Sequence, residues 1–209
     1  ILKRITKKIE VSCVAYNKDY TNYAQSRDKK IEKFCKRQGI ECLSMEDYLL
    51  KNMGEFNKDN GETYTVYTPF KNNLLKHKID KPDILGKSNY KKFSKLEKNT
   101  VKEEGYIEYS INDDILVRGG RENALSVLNK ALKLKDYENN RNDLSYSTSL
   151  LSAYIKFGNI SIREAYHAIK NKFGLDSGLL AQLVWREFYF YISYYFPKVL
   201  DGENYNKKY

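Results

Sequence analysis

Apolar and polar residues alternate along this chain in two rhythms, a short one near the start and a helical one toward the end. "IEVSCVAYN", ending at Asn17, clusters β-forming residues ahead of an asparagine and predicts a strand. "NYAQSRDKKIEKFCKRQGI" then returns Ala24, Ile31, Phe34 and Cys35 near helical spacing and stops at Gly39, which predicts a helix with a glycine end. "ECLSMEDYLL" predicts a short buried element and "YTVYTPF" a second strand. Strand, helix, strand is the rhythm of an α/β unit with a parallel sheet. A pair of strands does not make an independently stable sheet, so either part of the sheet lies outside this chain or a partner completes it.

Past residue 72 the rhythm is lost. "NNLLKHKIDKPDILGKSNYKKFSKLEKNTVKEEG" is polar, irregular and dense in lysine, and predicts a long surface linker. After "VRGGRENALSVLNKALKLKDYENN" the helical period takes over, with Ala124, Leu125, Leu128 and Leu132 on one stripe. Further helices are predicted over residues 148–156, 162–172 and 179–195. "VRGGREN" has the look of a phosphate loop but lacks its lysine and spacing, so it reads as a turn entering a helix. The expected organisation is a partial α/β domain over 1–72, an interdomain linker over 73–117 and an all-α region over 118–209, with no internal repeat.

Composition adds charge to this outline. The 209 residues are 41% hydrophobic, enough to fill a core, and 37 lysines and arginines against 27 acids give a net charge of +10 beside 19 tyrosines. A positive, tyrosine-rich surface suits an anionic partner such as nucleic acid, while such lysines equally serve only to solvate a surface. The 3 cysteines, Cys13, Cys35 and Cys42, include no CxxC pair, which points away from a disulfide framework or a zinc site and toward reduced thiols. No apolar run approaches the roughly 20 residues of a membrane span, and the basic start lacks a signal-peptide core. A soluble, intracellular protein is expected, without membrane or metal. The chain does not begin with methionine, which leaves trimming or excision from something longer open.

The chemistry concentrates in "TSLLSAYIKFGNIS". Thr148, Ser149 and Ser152 fall at a predicted helix start, where free N–H groups and the positive end of the macrodipole favour an anion. An isolated Ser/Thr pair there is a cap. Its company is what matters: "YENNRNDLSYS" lies upstream, and downstream "QLVWREFYFYISYYFP" sets Gln182, Trp185, Arg186 and Tyr189 on helical faces at spacings of three and four. Taken singly, Tyr137 is a packing tyrosine, Trp185 a core residue, and Arg186 with Glu187 a surface pair worth about a few tenths of a kcal/mol. His77 and His167 have no evident catalytic partner, and His167 reads as structural.

Together, "NKDYTNYAQSRDKKI", "YTVYTPFKN", "GGRENAL", "YENNRND", "TSLLSAYIKFGNIS" and "QLVWREFY", in this order, resemble the photolyase and cryptochrome flavoproteins, class I photolyases in particular. The resemblance implies a Rossmann-like α/β domain that carries an antenna chromophore in some members, followed by an all-α FAD-binding domain, here truncated. It matches Tyr137 to a flavin-contacting tyrosine, and Thr148, Ser149, Leu150, Leu151 and Ser152 to the segment that cradles the FAD pyrophosphate, a use of helix N-terminal anion binding. Arg186 matches a cofactor-side arginine. Arg141 matches a position near DNA phosphates, and Gln182, Trp185 and Tyr189 the pocket that receives the damaged bases. In such proteins a photoexcited reduced flavin donates an electron to a pyrimidine dimer extruded from UV-damaged DNA, so the cofactor rather than a catalytic side chain carries the hard step.

The family's opening strand and its later helical half, with the residues beside the flavin ring and the tryptophan relay, have no counterpart here. The chain alone is therefore expected to bind FAD poorly, and three readings stay open: a split photolyase completed by chains encoded nearby, an inactive remnant, and a cryptochrome-like or nucleic-acid-binding protein without repair activity. A glutamate in place of Gln182 accompanies cyclobutane-dimer repair in many members, whereas glutamine resembles the (6-4) branch. The remaining motifs point to ordinary class I enzymes, and cyclobutane dimers are placed first. Asn17, Tyr20 and Thr21 lie where an antenna chromophore of unassigned identity would be contacted, without the expected acidic residue.

Overall fold

The computed structural model describes residues 1–82, 112, 114–134 and 136–205. A short helix α1 (Leu2–Ile5) precedes strand β1 (Cys13–Asn17), helix α2 (Asn22–Gln38) and strand β2 (Glu41–Met45). β1 and β2 run parallel with Cys13 opposite Glu41 and Asn17 opposite Met45, a 2-stranded sheet. The ends of α2 are written in its sequence. Thr21 Oγ1 accepts from the Ala24 amide at 3.2 Å, and Gly39 closes the helix at φ 66°, a left-handed conformation that glycine adopts without steric cost. Val14, Tyr16, Cys42 and Ser44 face α2, and the Tyr16 hydroxyl donates to Glu32 at 3.0 Å. The opposite face leaves Leu43 and Met45 exposed.

The second expected strand lies elsewhere than the sequence pattern places it. "ECLSM" forms it, while "YTVYTPF" turns into helix α3 (Tyr67–Leu74), entered from extended Val66. The reason is tertiary: Phe70 and Leu74 fall one helical turn apart and bury fully against the helical unit, each contributing about 1.5–3 kcal/mol. Pro69 is tolerated because it lies in the first turn, where its missing N–H has no partner to lose.

Beyond α3, most of the predicted 73–117 linker lies outside the described residues. Helix α4 (Arg121–Ala131) begins at Gly120, so "GGREN" is a helix entry as expected. The helices that follow are α5 (Tyr137–Asn140), α6 (Leu151–Lys156), α7 (Ile162–Phe173) and α8 (Gly178–Tyr195), then a 3-10 turn at Pro197–Asp201. Helix α6 starts at Leu151, later than the predicted residue 148. Ser161 and Ser177 cap α7 and α8 by accepting from Arg163 N and Leu180 N at 3.2 and 3.3 Å.

One apolar core fills the helical part and takes in Tyr20 and the loop after β2, whereas the buried Ala24 and Cys35 of α2 lie outside it. Leu49, Leu50 and Phe56, from the loop after β2, pack with Phe70 and Leu74 of α3, Leu180, Val184, Phe188 and Tyr191 of α8, and Ile155, Tyr166 and Ile169. Among the described residues, no helix is long and apolar enough to cross a membrane.

Candidate functional site

Between α4 and α6 the backbone passes twice through left-handed conformations. Asp136 (φ 51°) and Leu150 (φ 54°) are the non-glycine residues with positive φ among the described residues, and they bracket a segment carrying Tyr137, Arg141, Thr148 and Ser149. Each costs about 1 kcal/mol or more for a side chain of this kind, so the surrounding fold imposes the geometry.

Leu150 supplies no side-chain cap to α6, and Ser149 Oγ accepts from the Leu151 amide only at 3.5 Å. Thr148 and Ser152 are exposed, Ser149 and Leu150 half-buried, and Leu151 is buried in the core. The hydroxyls thus stand around a helix start whose amides lack close side-chain partners, a setting that suits an oxyanion. Tyr137 lines a cleft of about 570 Å³ with Glu138, Phe173, Ser177 and Leu179. Glu138 reaches the head of α8, where a Cβ on Gly178 would come within 3.1 Å of its carboxylate. The acid complements the positive helix end, and glycine permits the approach.

Helix α8 presents a flat aromatic row on one side. The Trp185 ring lies 3.5 Å from that of Tyr67 at an interplanar angle of 3°, and 5.5 Å from that of Tyr189 at 26°. Tyr67 is fixed by donating to the Ala181 carbonyl at 3.3 Å. Tyr189 is 60% exposed, so the row runs from half-buried to open surface. Arg141 lies near both Tyr67 and Tyr137: burial pushes the two phenols up, and its charge offsets part of that rise. Gln182 is half-buried and precedes Trp185 by one turn. The structure therefore brings Tyr137, Arg141, Trp185 and Tyr189 into one neighbourhood.

Arg186 faces elsewhere. It donates Nη1 to the Tyr48 carbonyl at 3.0 Å, and its guanidinium covers the rings of Tyr48 and Phe190 at 4.6 and 4.8 Å. Burial lowers its affinity for the proton, and the nearby Glu187 restores part of it. The surface pair expected for Arg186 and Glu187 is not what forms, because Glu187 is 0% exposed and both its oxygens accept from the Leu50 amide, at 3.1 and 3.2 Å. Burial pushes this carboxyl up to about 8, against the opposing pull of the Leu50 amide and Arg186. One turn later the Tyr191 hydroxyl accepts from the Gly54 and Phe56 amides, both at 3.1 Å. Helix α8 thus grips the 50–56 loop with one face and shows rings with another.

Tyr67, Glu187, Tyr191 and Arg163 went unrecognised in the sequence. Arg163 donates to the Glu46 carbonyl at 3.1 Å and pairs with Asp47 at 2.5 Å, beside a cleft of about 980 Å³ at the C-terminal ends of β1 and β2. Asn17 lines that cleft, whereas Tyr20 donates to Glu46 at 3.2 Å and Thr21 caps α2. His77 packs edge-on against Phe56, and His167 against Tyr166. Among the described residues no cluster of metal-ligating side chains occurs.

The parallel α/β segment packed with a helical unit is matched in solved structures of photolyases. The archaeal photolyase of Sulfolobus tokodaii, whose crystal structure holds two FAD molecules, matches with a TM-score of 0.73 and 29% identity over 99% of this chain and 44% of its own. Residues 1–85 fit the DNA photolyase family model. A deoxyribodipyrimidine photo-lyase of Alkalihalophilus pseudofirmus is 29% identical over 93% of this chain and 42% of its own length. A (6-4)DNA photolyase of Oryza sativa subsp. japonica is 27% identical over 91% of this chain and 38% of its own. These matches support a fragment of the photolyase/cryptochrome family, and the chain spans less than half the length of these relatives.

Proposed function

We propose that this chain is a segment of a DNA photolyase and contributes to light-driven, FAD-dependent repair of UV-induced pyrimidine dimers when the remaining segments of such an enzyme are supplied. The row of Tyr67, Trp185 and Tyr189, with Arg141 near Tyr67 and Tyr137, is the observation that carries this reading. The first-turn amides of α6 with Thr148, Ser149 and Ser152 would hold the FAD pyrophosphate, and Tyr137 would pack near the flavin. When bound, reduced FAD supplies the photoexcited electron. Tyr189 offers an exposed face on which an extruded base stacks, with Trp185 packed behind it, Gln182 an amide for the base edge, and Arg141 a charge for the phosphate backbone. Arg186, gripping Tyr48, is better suited to holding α8 in place than to touching cofactor. An antenna chromophore would occupy the cleft at the strand ends, where Asn17 and Arg163 lie.

Relatives named for both lesion types match at similar identity, 29% and 27%, so identity does not rank the substrates. Cyclobutane dimers remain the first choice, with (6-4) lesions the alternative that Gln182 favours. The test is to produce the chain with and without polypeptide supplying the unmatched photolyase segments, record the visible spectrum, and illuminate each sample with a dimer-containing oligonucleotide. Flavin bands and light-dependent dimer loss in the completed sample are expected; a completed sample with no flavin overturns the reading. The net charge of +10 supports a second reading, a flavin-free nucleic-acid-binding protein. Strongly salt-dependent DNA binding without any flavin would favour it.

A further inference from the structure

The cysteines of this chain all fall in the α/β unit, and two of them face each other. Cys35, fully buried in the last turns of α2, points toward the sheet, and its carbonyl accepts from the Ile40 amide at 3.0 Å where the chain reverses into β2. Cys42 follows on β2, half-buried on the same sheet face as Val14, Tyr16 and Ser44, the face that α2 covers. Cys35 and Cys42 thus face each other across the packing of α2 on the sheet, near enough for Cys35 to help raise the Cys42 thiol. Cys13, opposite Glu41, points to the other face of the sheet. The arrangement is a facing pair plus an internal control, all of them free thiols.

We propose that Cys35 and Cys42 form a reversible disulfide under peroxide, a redox site that pins the end of α2 to β2. Cys42 is the reachable member and attacks first. Its thiolate takes one oxygen from hydrogen peroxide to become a sulfenic acid, and water leaves after proton transfer. The Cys35 sulfur then attacks the sulfenic sulfur and expels a second water. Two thiols and one peroxide give one disulfide and two waters, with two electrons passing from sulfur to peroxide. Burial, then the neighbouring Cys35, Glu32 and Cys13, raise the Cys42 thiol and keep its thiolate scarce near neutral pH. Oxidation is therefore slow beside that of a dedicated peroxide sensor, and specificity comes from geometry rather than from reactivity.

The full chain, treated with hydrogen peroxide natively and in urea, digested without reductant and analysed by mass spectrometry, tests this. Natively, the peptide linking Cys35 to Cys42 should exceed either link to Cys13 by at least about tenfold, as facing groups react at high effective concentration. Dithiothreitol should reverse it, and urea should erase the preference. Native links to Cys13 in equal amount, sulfinic acid at Cys42 without a cross-link, or thiols that stay unchanged under peroxide would each overturn the proposal.

Discussion

Replacing Glu187 by glutamine should change how stability depends on pH, in a direction the geometry fixes. The carboxyl is fully buried, accepts from the Leu50 amide with both oxygens and is pushed from 4.5 up to about 8, chiefly by burial. In the unfolded chain it returns to an ordinary carboxylate. Between these values the folded protein holds a proton that the unfolded chain has released. The stability contributed by the neutral carboxyl is thus fully present below the ordinary value and is lost as pH rises through about 8. At full slope one such proton is worth about 1.4 kcal/mol per pH unit, or a few kcal/mol across the window. Glutamine keeps the shape and one accepting oxygen but does not titrate. Urea denaturation followed by the fluorescence of Trp185, the single tryptophan of the chain, gives the unfolding free energy of both proteins from pH 5 to 9. The wild-type advantage over E187Q should shrink steadily and level off above about pH 8. A difference that stays flat across the range would mean the carboxylate is ionised throughout and would refute the reasoning.

Three further outcomes follow from the same geometry. Tyr191→Phe removes the acceptor of the Gly54 and Phe56 amides and should cost about 1–3 kcal/mol in urea denaturation, since it leaves buried donors unpaired. On the proposed function, Tyr189→Ala, at the exposed end of the row, should weaken binding of a dimer-containing oligonucleotide by about 1–3 kcal/mol in an anisotropy titration, the worth of one stacked base, with undamaged duplex affected less. Arg141→Ala should lower affinity for damaged and undamaged DNA alike and reduce the slope of log affinity against log salt by about 1, as expected for one phosphate contact.

What the sequence disclosed and what it withheld divide along a physical line. Helices α2, α7 and α8 were legible because their signals are local, a helical apolar period and, for α2, the stop at Gly39; the structure adds Thr21, Ser161 and Ser177 as their caps. The strand misassigned to "YTVYTPF" shows the opposite case, where Phe70 and Leu74 make a helix because α8 offers them a surface, which no local propensity encodes. Trp185 and Tyr189 could be read from their spacing, but their partner Tyr67 lies far back in the chain and is joined only by the fold. The left-handed turns at Asp136 and Leu150 left no trace either, since neither residue is glycine. Glu187 did leave one: with Leu183 and Tyr191 it repeats at intervals of four on the buried face of α8. A carboxylate on an apolar stripe signals a buried acceptor waiting for a distant donor.

The grip of α8 on the 50–56 loop also bears on how the molecule can be cut. Cleavage between α3 and α4 would separate a small α/β piece from a helical one, and both would be damaged. The helical piece would carry an ionisable carboxyl and a tyrosine hydroxyl deprived of their amide donors, beside the bared side chains of Leu180, Phe188 and Tyr191. Such a surface invites aggregation. Fragments meant for crystallisation or complementation should keep residues 48–75 with α8, because in energetic terms that loop and α3 belong to the helical part, however early in the chain they occur.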